Sequence, residues 1–232
     1  MRPVEAEWIR DRLLATDPQK CSPIANVGSS THAFRTVNKP HIERLLFAPL
    51  RAAGFEVVHI DIKPDEGVDM VGDLTDPAFL AEVKARGCRS AICSNLLEHL
   101  SERQGVIDAC GELVAEEGAL VVTVPYSYPY HADPIDTLYR PDVEALAGEF
   151  PDLELVTGEI LSDGTLMQEE FGKGTTNGLL YLPKAFLRIL RFWKPAIALG
   201  QLHRLAWLVR PFKVTCAVFR RPGRPDFAGK AV

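Results

Sequence analysis

The segment Pro23-Ile24-Ala25-Asn26-Val27-Gly28-Ser29-Ser30-Thr31-His32 constrains this chain more than any other. A short apolar run, bounded by Pro before it and by Gly and small hydroxyl residues after it, reads as a buried strand entering a tight turn. Open α/β sheets hold ligands beyond the carboxyl ends of their strands. There Gly28 permits a positive φ or a close backbone approach, and Ser29, Ser30 and Thr31 offer hydroxyls to a polar ligand. Taken alone, the pattern also describes an ordinary strand-to-helix turn.

The segments that follow repeat the strand-turn-helix rhythm. Phe34 to Pro40 reads as an inserted loop, and His41 to Ala53 as an amphipathic helix with Ile42, Leu45, Leu46, Ala48 and Leu50 on its apolar side. After Gly54 comes a strand, Glu56 to Asp61, whose acidic tip can accept hydrogen bonds from both ribose hydroxyls of a nucleoside cofactor. A short third strand lies within Asp69 to Asp73, and Asp76 or Thr75 caps a helix that has Pro77 in its first turn. Ser90 to Ser94 is a fourth strand running into Asn95-Leu96-Leu97-Glu98-His99-Leu100. A helix from Glu102 to Glu116 leads to Ala119–Pro125, a strand almost without polar residues, as expected where helices cover both faces of a sheet. This alternation predicts a doubly wound parallel sheet with its ligand crevice between the first and fourth strands.

In this order and chemistry the stretch from Pro23 to Pro151 resembles the class I S-adenosylmethionine-dependent methyltransferases. The resemblance implies a Rossmann-like, mostly parallel seven-stranded sheet, with a last strand at 213–221 lying antiparallel to the others. It implies S-adenosyl-L-methionine as cofactor, with Asn26, Gly28 and Ser29 in the first loop and Asp61 at the ribose. Asp73 and Leu74 would read the adenine edge, and Asn95 would meet the cofactor from the fourth strand's tip. Asn26 stands where the first loop usually carries an acidic residue, and Ser30 and His32 replace two usual glycines. The missing glycines argue harder against a dinucleotide, whose phosphates need a Gly-rich turn, than against a cofactor that presents an amino-acid carboxylate and a sulfonium. The alternative that keeps the fold is a binding or scaffolding module without catalysis.

With 232 residues, 47% of them hydrophobic and 25% charged, the chain can form one α/β domain with a modest appendage. The expected organisation is an N-terminal helix at 1–20, exposed or capping, a core at 21–161, an insertion at 162–212, and a tail at 222–232 after the last strand. The first 20 residues mix charges with apolar residues and lack the apolar core of a signal peptide. Five scattered cysteines form no Cys-x-x-Cys pair and fit reduced thiols in a cytoplasmic compartment. The net charge of −5 hides a division: the first 170 residues carry 30 acids and 14 bases, whereas 171–225 carries 11 bases and no acid. An acidic first part without interleaved basic and aromatic residues argues against a nucleic-acid substrate. The oligomeric state is left open by the sequence.

Methyl transfer requires an aligned acceptor, and a hydroxyl acceptor also requires a place for its proton. The Pro-rich segment after the fifth strand collects Tyr128, Tyr130, His131, Asp133, Asp136 and Arg140. His131 titrates nearest neutrality and is the candidate base, with Tyr128, Tyr130, Asp133, Arg140 and His99 as candidate substrate ligands. The same residues also suit a rigid loop of packed tyrosines and capping aspartates. The spacing of His131, Asp133 and Asp136 matches no familiar metal motif, so no metal is expected. In the insertion, Lys184, Arg188 and Arg191 fall on one side of a helix and Phe186, Ile189 and Trp193 on the other. That pattern suits either a lid over the crevice or peripheral membrane contact through 184–212, with Pro195 excluding a continuous span. The expected acceptor is a small molecule, a glycan or a lipid-linked compound, methylated at oxygen.

Overall fold

The computed structural model describes residues 1–131, 135–172 and 206–222. Seven strands form one sheet in the order β3-β2-β1-β4-β5-β7-β6. They are β1 (Ile24–Val27), β2 (Val57–Asp61), β3 (Met70–Val71), β4 (Ser90–Ser94), β5 (Leu120–Ser127), β6 (Glu154–Asp163) and β7 (Phe212–Arg220). The first five run parallel, and β7 is antiparallel to both of its neighbours. The order reverses at β1, which pairs with β2 on one side and β4 on the other, and the crevice of a doubly wound sheet opens there.

The central strands can be so apolar because both faces are covered. Helices Pro77–Ala85, Gln104–Glu112 and Val143–Gly148 pack on one face, where Val58, Ile60, Val83, Ile107, Val122 and Phe219 share a core. On the other face the helix Pro3–Leu14 and the helical run 40–52 pack Ile9, Leu13, Leu46, Phe47 and Leu50 against Ile24, Ile92 and Val121. The Pro3–Leu14 helix therefore caps the sheet; Ala6 and Ile9 are fully buried. It also shields the edge strand β6, where Glu159 accepts from Trp8 and from Arg12.

The expected inserted loop is helical. The side chain of Thr31 accepts from the Phe34 amide at 3.1 Å, and a wide π turn, Phe34–Asn38, follows. The amphipathic run after it contains a second π turn, Glu43–Phe47, between two short α segments. Helices otherwise start where sequence chemistry places them: Asp76 accepts from Ala78 N at 3.0 Å and Asp142 from Ala145 N at 2.8 Å. The helix expected over Glu102–Glu116 is shorter, Gln104–Glu112, because the Ala115 amide turns away to the Arg89 carbonyl at 2.9 Å. β6 runs two residues past the core boundary expected at 161, since 162 and 163 stay on the β7 ladder, and a helix, Leu166–Gly172, follows. The basic segment from Lys184 through His203 lies outside the described residues.

Candidate active site

The turn after β1 is tied down from three directions. Gly28 has φ +69°, and a Cβ placed on it would stand 3.0 Å from both methyls of Leu96, so the turn and the residues after β4 pack closely. The Ser30 amide donates to Asp61 Oδ2 at 2.7 Å, and the Lys63 amide donates to Oδ1 at 3.0 Å. Each Asp61 oxygen keeps a further acceptor position. Arg35, which is buried, donates to the carbonyls of Ser29 at 2.9 Å, Ser30 at 2.6 Å and Gly67 at 2.6 Å. Burial lowers its pKa, opposed by Asp69, Glu43 and Asp61. Arg35 was not identified by sequence reasoning; a lone Arg following a small-residue turn is the only trace it leaves there.

The other expected cofactor residues are distributed around this turn. Asn26 is buried within β1, opposite His59 in the β1–β2 register, and its amide nitrogen lies 3.0 Å from His59 Nδ1. Ser29 is also buried, its hydroxyl turned to the Ser30 carbonyl at 3.1 Å. Asp73 is exposed after β3 and accepts from the Thr75 hydroxyl at 2.7 Å and amide at 2.9 Å, which lower its pKa. Leu74 beside it is buried.

Asn95 adopts φ +51° at the tip of β4, a conformation Asn tolerates better than most residues. Its amide donates to Ser94 Oγ at 3.0 Å and to Glu5. Glu5 is a second residue that sequence reasoning missed. Fully buried on the Pro3–Leu14 helix, it accepts from Ser94 Oγ at 2.8 Å, Arg2 N at 3.0 Å, Asn95 Nδ2 and Thr123 Oγ1. One side chain thus gathers the polar tips of β4 and β5.

Beyond those tips two segments are laced together. Thr137 donates to the Glu98 carbonyl through its amide at 2.9 Å and its hydroxyl at 3.0 Å, and His99 Nδ1 meets the Ile135 carbonyl. His131 and His99 consequently pack edge to face with ring centroids 5.2 Å apart, and Tyr128 lies 5.3 Å from His131. Tyr128 also packs on Phe212, which stacks on Trp207, so an aromatic series runs from the end of the insertion to the histidines.

Asp136 anchors the cluster. It accepts from Arg140 Nη2 at 2.7 Å, from the amides of His131 at 3.0 Å and Leu138 at 2.9 Å, and lies 3.2 Å from His131 Nδ1. Burial alone would raise its pKa, but these hydrogen bonds outweigh burial and hold the carboxyl at about 2. Burial lowers His131, against the opposing pull of Pro129 and Asp136. Neighbouring Glu98 is fully buried, neither carboxyl oxygen has a hydrogen-bond partner among the described residues, and burial pushes its pKa up to about 7. Tyr130 is exposed, and Asp133 lies outside the described residues.

The strand order, the crevice at β1 and β4, and the antiparallel β7 define the fold of the class I S-adenosylmethionine-dependent methyltransferases. Solved structures share it at low identity. MccD protein aligns with a TM-score of 0.53 at 13% identity, over 96% of this chain and 100% of that one. A candidate sarcosine dimethylglycine methyltransferase from Galdieria sulphuraria aligns at 0.51 and 12% identity, over 93% of this chain and 84% of that one. A candidate methyltransferase from Bacillus halodurans C-125 aligns at 0.50 and 14% identity, over 91% and 96%. No protein-family model matches the sequence, and no curated protein matches it. Among the described residues, no helix is long and apolar enough to cross a membrane.

Proposed function

We propose that this chain is an S-adenosylmethionine-dependent methyltransferase acting at a hydroxyl of a small-molecule, glycan or lipid-linked acceptor. The observation that carries the reading is the meeting, at one sheet edge, of a Gly28 turn fixed to Asp61 with a histidine cluster beyond β4 and β5. The donor set fits such a cofactor. Asp61 retains acceptor capacity for a ribose diol, Asp73 offers an exposed carboxylate beside buried Leu74, and the Gly28 turn supplies backbone without a Cβ.

When bound, the cofactor would supply an electrophilic methyl on a sulfonium. The chain's own groups then have two tasks. Tyr128, His99 and Arg140, with Tyr130 and Asp133 on the same segment, would line the acceptor's approach and align its oxygen. His131, whose pKa is lowered by burial, would take part where the hydroxyl loses its proton. Passing that methyl to the acceptor oxygen would leave the sulfur neutral, which is the chemistry the cofactor would supply.

Calorimetric titration with S-adenosylhomocysteine and with NAD tests the cofactor assignment, and transfer of labelled methyl to hydroxylated acceptors tests the reaction. Binding of S-adenosylhomocysteine without transfer to any acceptor would favour the second reading, a methyltransferase-fold binding module, for which the replaced loop glycines Ser30 and His32 speak. Binding of neither ligand would remove both.

A further inference from the structure

A carboxyl group buried without a hydrogen-bond partner is costly, and proteins that keep one usually have a use for it. Glu98 is such a group. Its Oε1 lies 3.7 Å from His99 Nε2, and one ligand atom from each of Glu98, His99 and His131 falls within 4.8 Å of the others. We propose that these three side chains bind a divalent transition-metal ion of the Mn2+ or Zn2+ type. Two imidazoles and one carboxylate suit such borderline ions better than Mg2+ or Ca2+, which prefer all-oxygen sites.

The surroundings are those of a built site. Ligand atoms about 2.1 Å from an ion stand roughly 3 to 4 Å from one another, so the separation of Glu98 and His99 already fits. Both histidines have Nδ1 engaged: His99 with the Ile135 carbonyl, His131 with Asp136 Oδ2 at 3.2 Å and the Pro129 carbonyl at 3.3 Å. That fixes the tautomer and leaves each Nε2 lone pair for a metal. Asp136 is itself immobilised by Arg140, giving the carboxylate–histidine arrangement that orients metal ligands elsewhere. Side-chain exposures of 17% for His99 and 32% for His131 leave an entry path.

Three protein ligands leave coordination positions open, and on the proposed function these fall to the acceptor. This second part rests on that reading. It narrows the acceptor to compounds presenting two adjacent oxygens, such as the vicinal diol of a sugar. Two-point coordination would orient the reacting oxygen and lower its hydroxyl pKa, so that its proton passes to solvent and His131, with Nε2 on the ion, shares in the proton step through the metal and not as the base itself.

The test is titration of the chelator-stripped full chain with Mn2+, followed by electron paramagnetic resonance and calorimetry, with Zn2+ in a parallel arm. One ion should bind per chain, and Glu98→Gln and His131→Ala should each weaken binding at least about tenfold. S-adenosylhomocysteine affinity, measured on the same samples, should change little. If His131→Ala fails to fold, His99→Gln replaces it. Uptake of neither ion by the wild type at about 1 mM, or unchanged affinity in either variant, overturns the site. Loss of cofactor binding by the wild type with metal binding intact would instead remove the methyl-transfer reading and leave the metal site standing.

Discussion

The Ser30 amide and Asp61 Oδ2, 2.7 Å apart, join the turn after β1 to the tip of β2. The loop is therefore held by the same carboxylate that, on the proposed function, would face a ribose. Asp61→Ala should weaken S-adenosylhomocysteine binding by about 2 kcal/mol or more, because it removes charge-assisted hydrogen bonds and frees the turn. Asp73→Ala should cost less, since that side chain is exposed and spends Oδ1 on Thr75. Calorimetry on both variants decides; wild-type affinity in Asp61→Ala would dissociate the β2 tip from the cofactor.

His131→Ala should lower turnover by about two to four orders of magnitude while S-adenosylhomocysteine affinity stays within a few-fold of wild type. Asp136→Asn should act through His131 and cost less, since the His131 amide can still donate to the new side chain's oxygen. Single-turnover methyl transfer is the measurement. A drop confined to KM would make His131 an acceptor ligand without a share in the proton step.

The sheet was legible in the sequence because parallel strands covered on both faces are buried along nearly their whole length and so largely apolar, as β1, β4 and the first six residues of β5 are. Asp76 was legible as a helix cap for an equally local reason. The π turns were not. An extra residue per turn leaves the apolar pattern of 41–53 nearly intact, and at 34–38 the helix is held by a long-range bond from Arg35 to Gly67. The histidine cluster was half legible: His131 and His99 stood out singly, but their meeting depends on Thr137 and Ile135 binding back to the turn after β4. Glu5 left no local signal, because its partners come from β4, β5 and the turn at Asn95.

Stability should also depend on pH through His59. Burial, reinforced by Arg35, lowers its pKa from the usual 6.5 to about 4, and Asn26 donates to its Nδ1, so the folded state holds it neutral. Between those two values the unfolded chain binds more protons than the folded one, and stability rises with pH. The contribution is complete above about pH 6.5 and is lost as the pH falls toward 4, a change on the order of 2 to 3 kcal/mol. His59→Gln keeps an acceptor for Asn26 but does not titrate. Urea unfolding from pH 4.0 to 7.5, spanning the window set by those pKa values, should show a shallower slope in the variant; parallel slopes would mean that His59 is not protonated on unfolding.

Glu5 is the residue whose loss should spread furthest. Its carboxyl group takes four hydrogen bonds in a fully buried position, from the Arg2 amide, Ser94, Asn95 and Thr123. Removal leaves donors at the tips of β4 and β5 without their acceptor, at about 1 to 3 kcal/mol for each group left unsatisfied and partly offset by water entering the space. Glu5→Ala should therefore destabilise the fold by roughly 3 kcal/mol or more, whereas Glu5→Gln, which keeps one acceptor oxygen and the volume, should cost less. Asn95 holds its positive φ with help from Glu5, and the packing of Leu96 on Gly28 follows directly after it. The same variants should thus weaken S-adenosylhomocysteine binding even at temperatures where they remain folded. Chemical denaturation and calorimetry on one set of samples separate the two effects: lost stability with unchanged ligand affinity would confine Glu5 to holding the Pro3–Leu14 helix on the sheet.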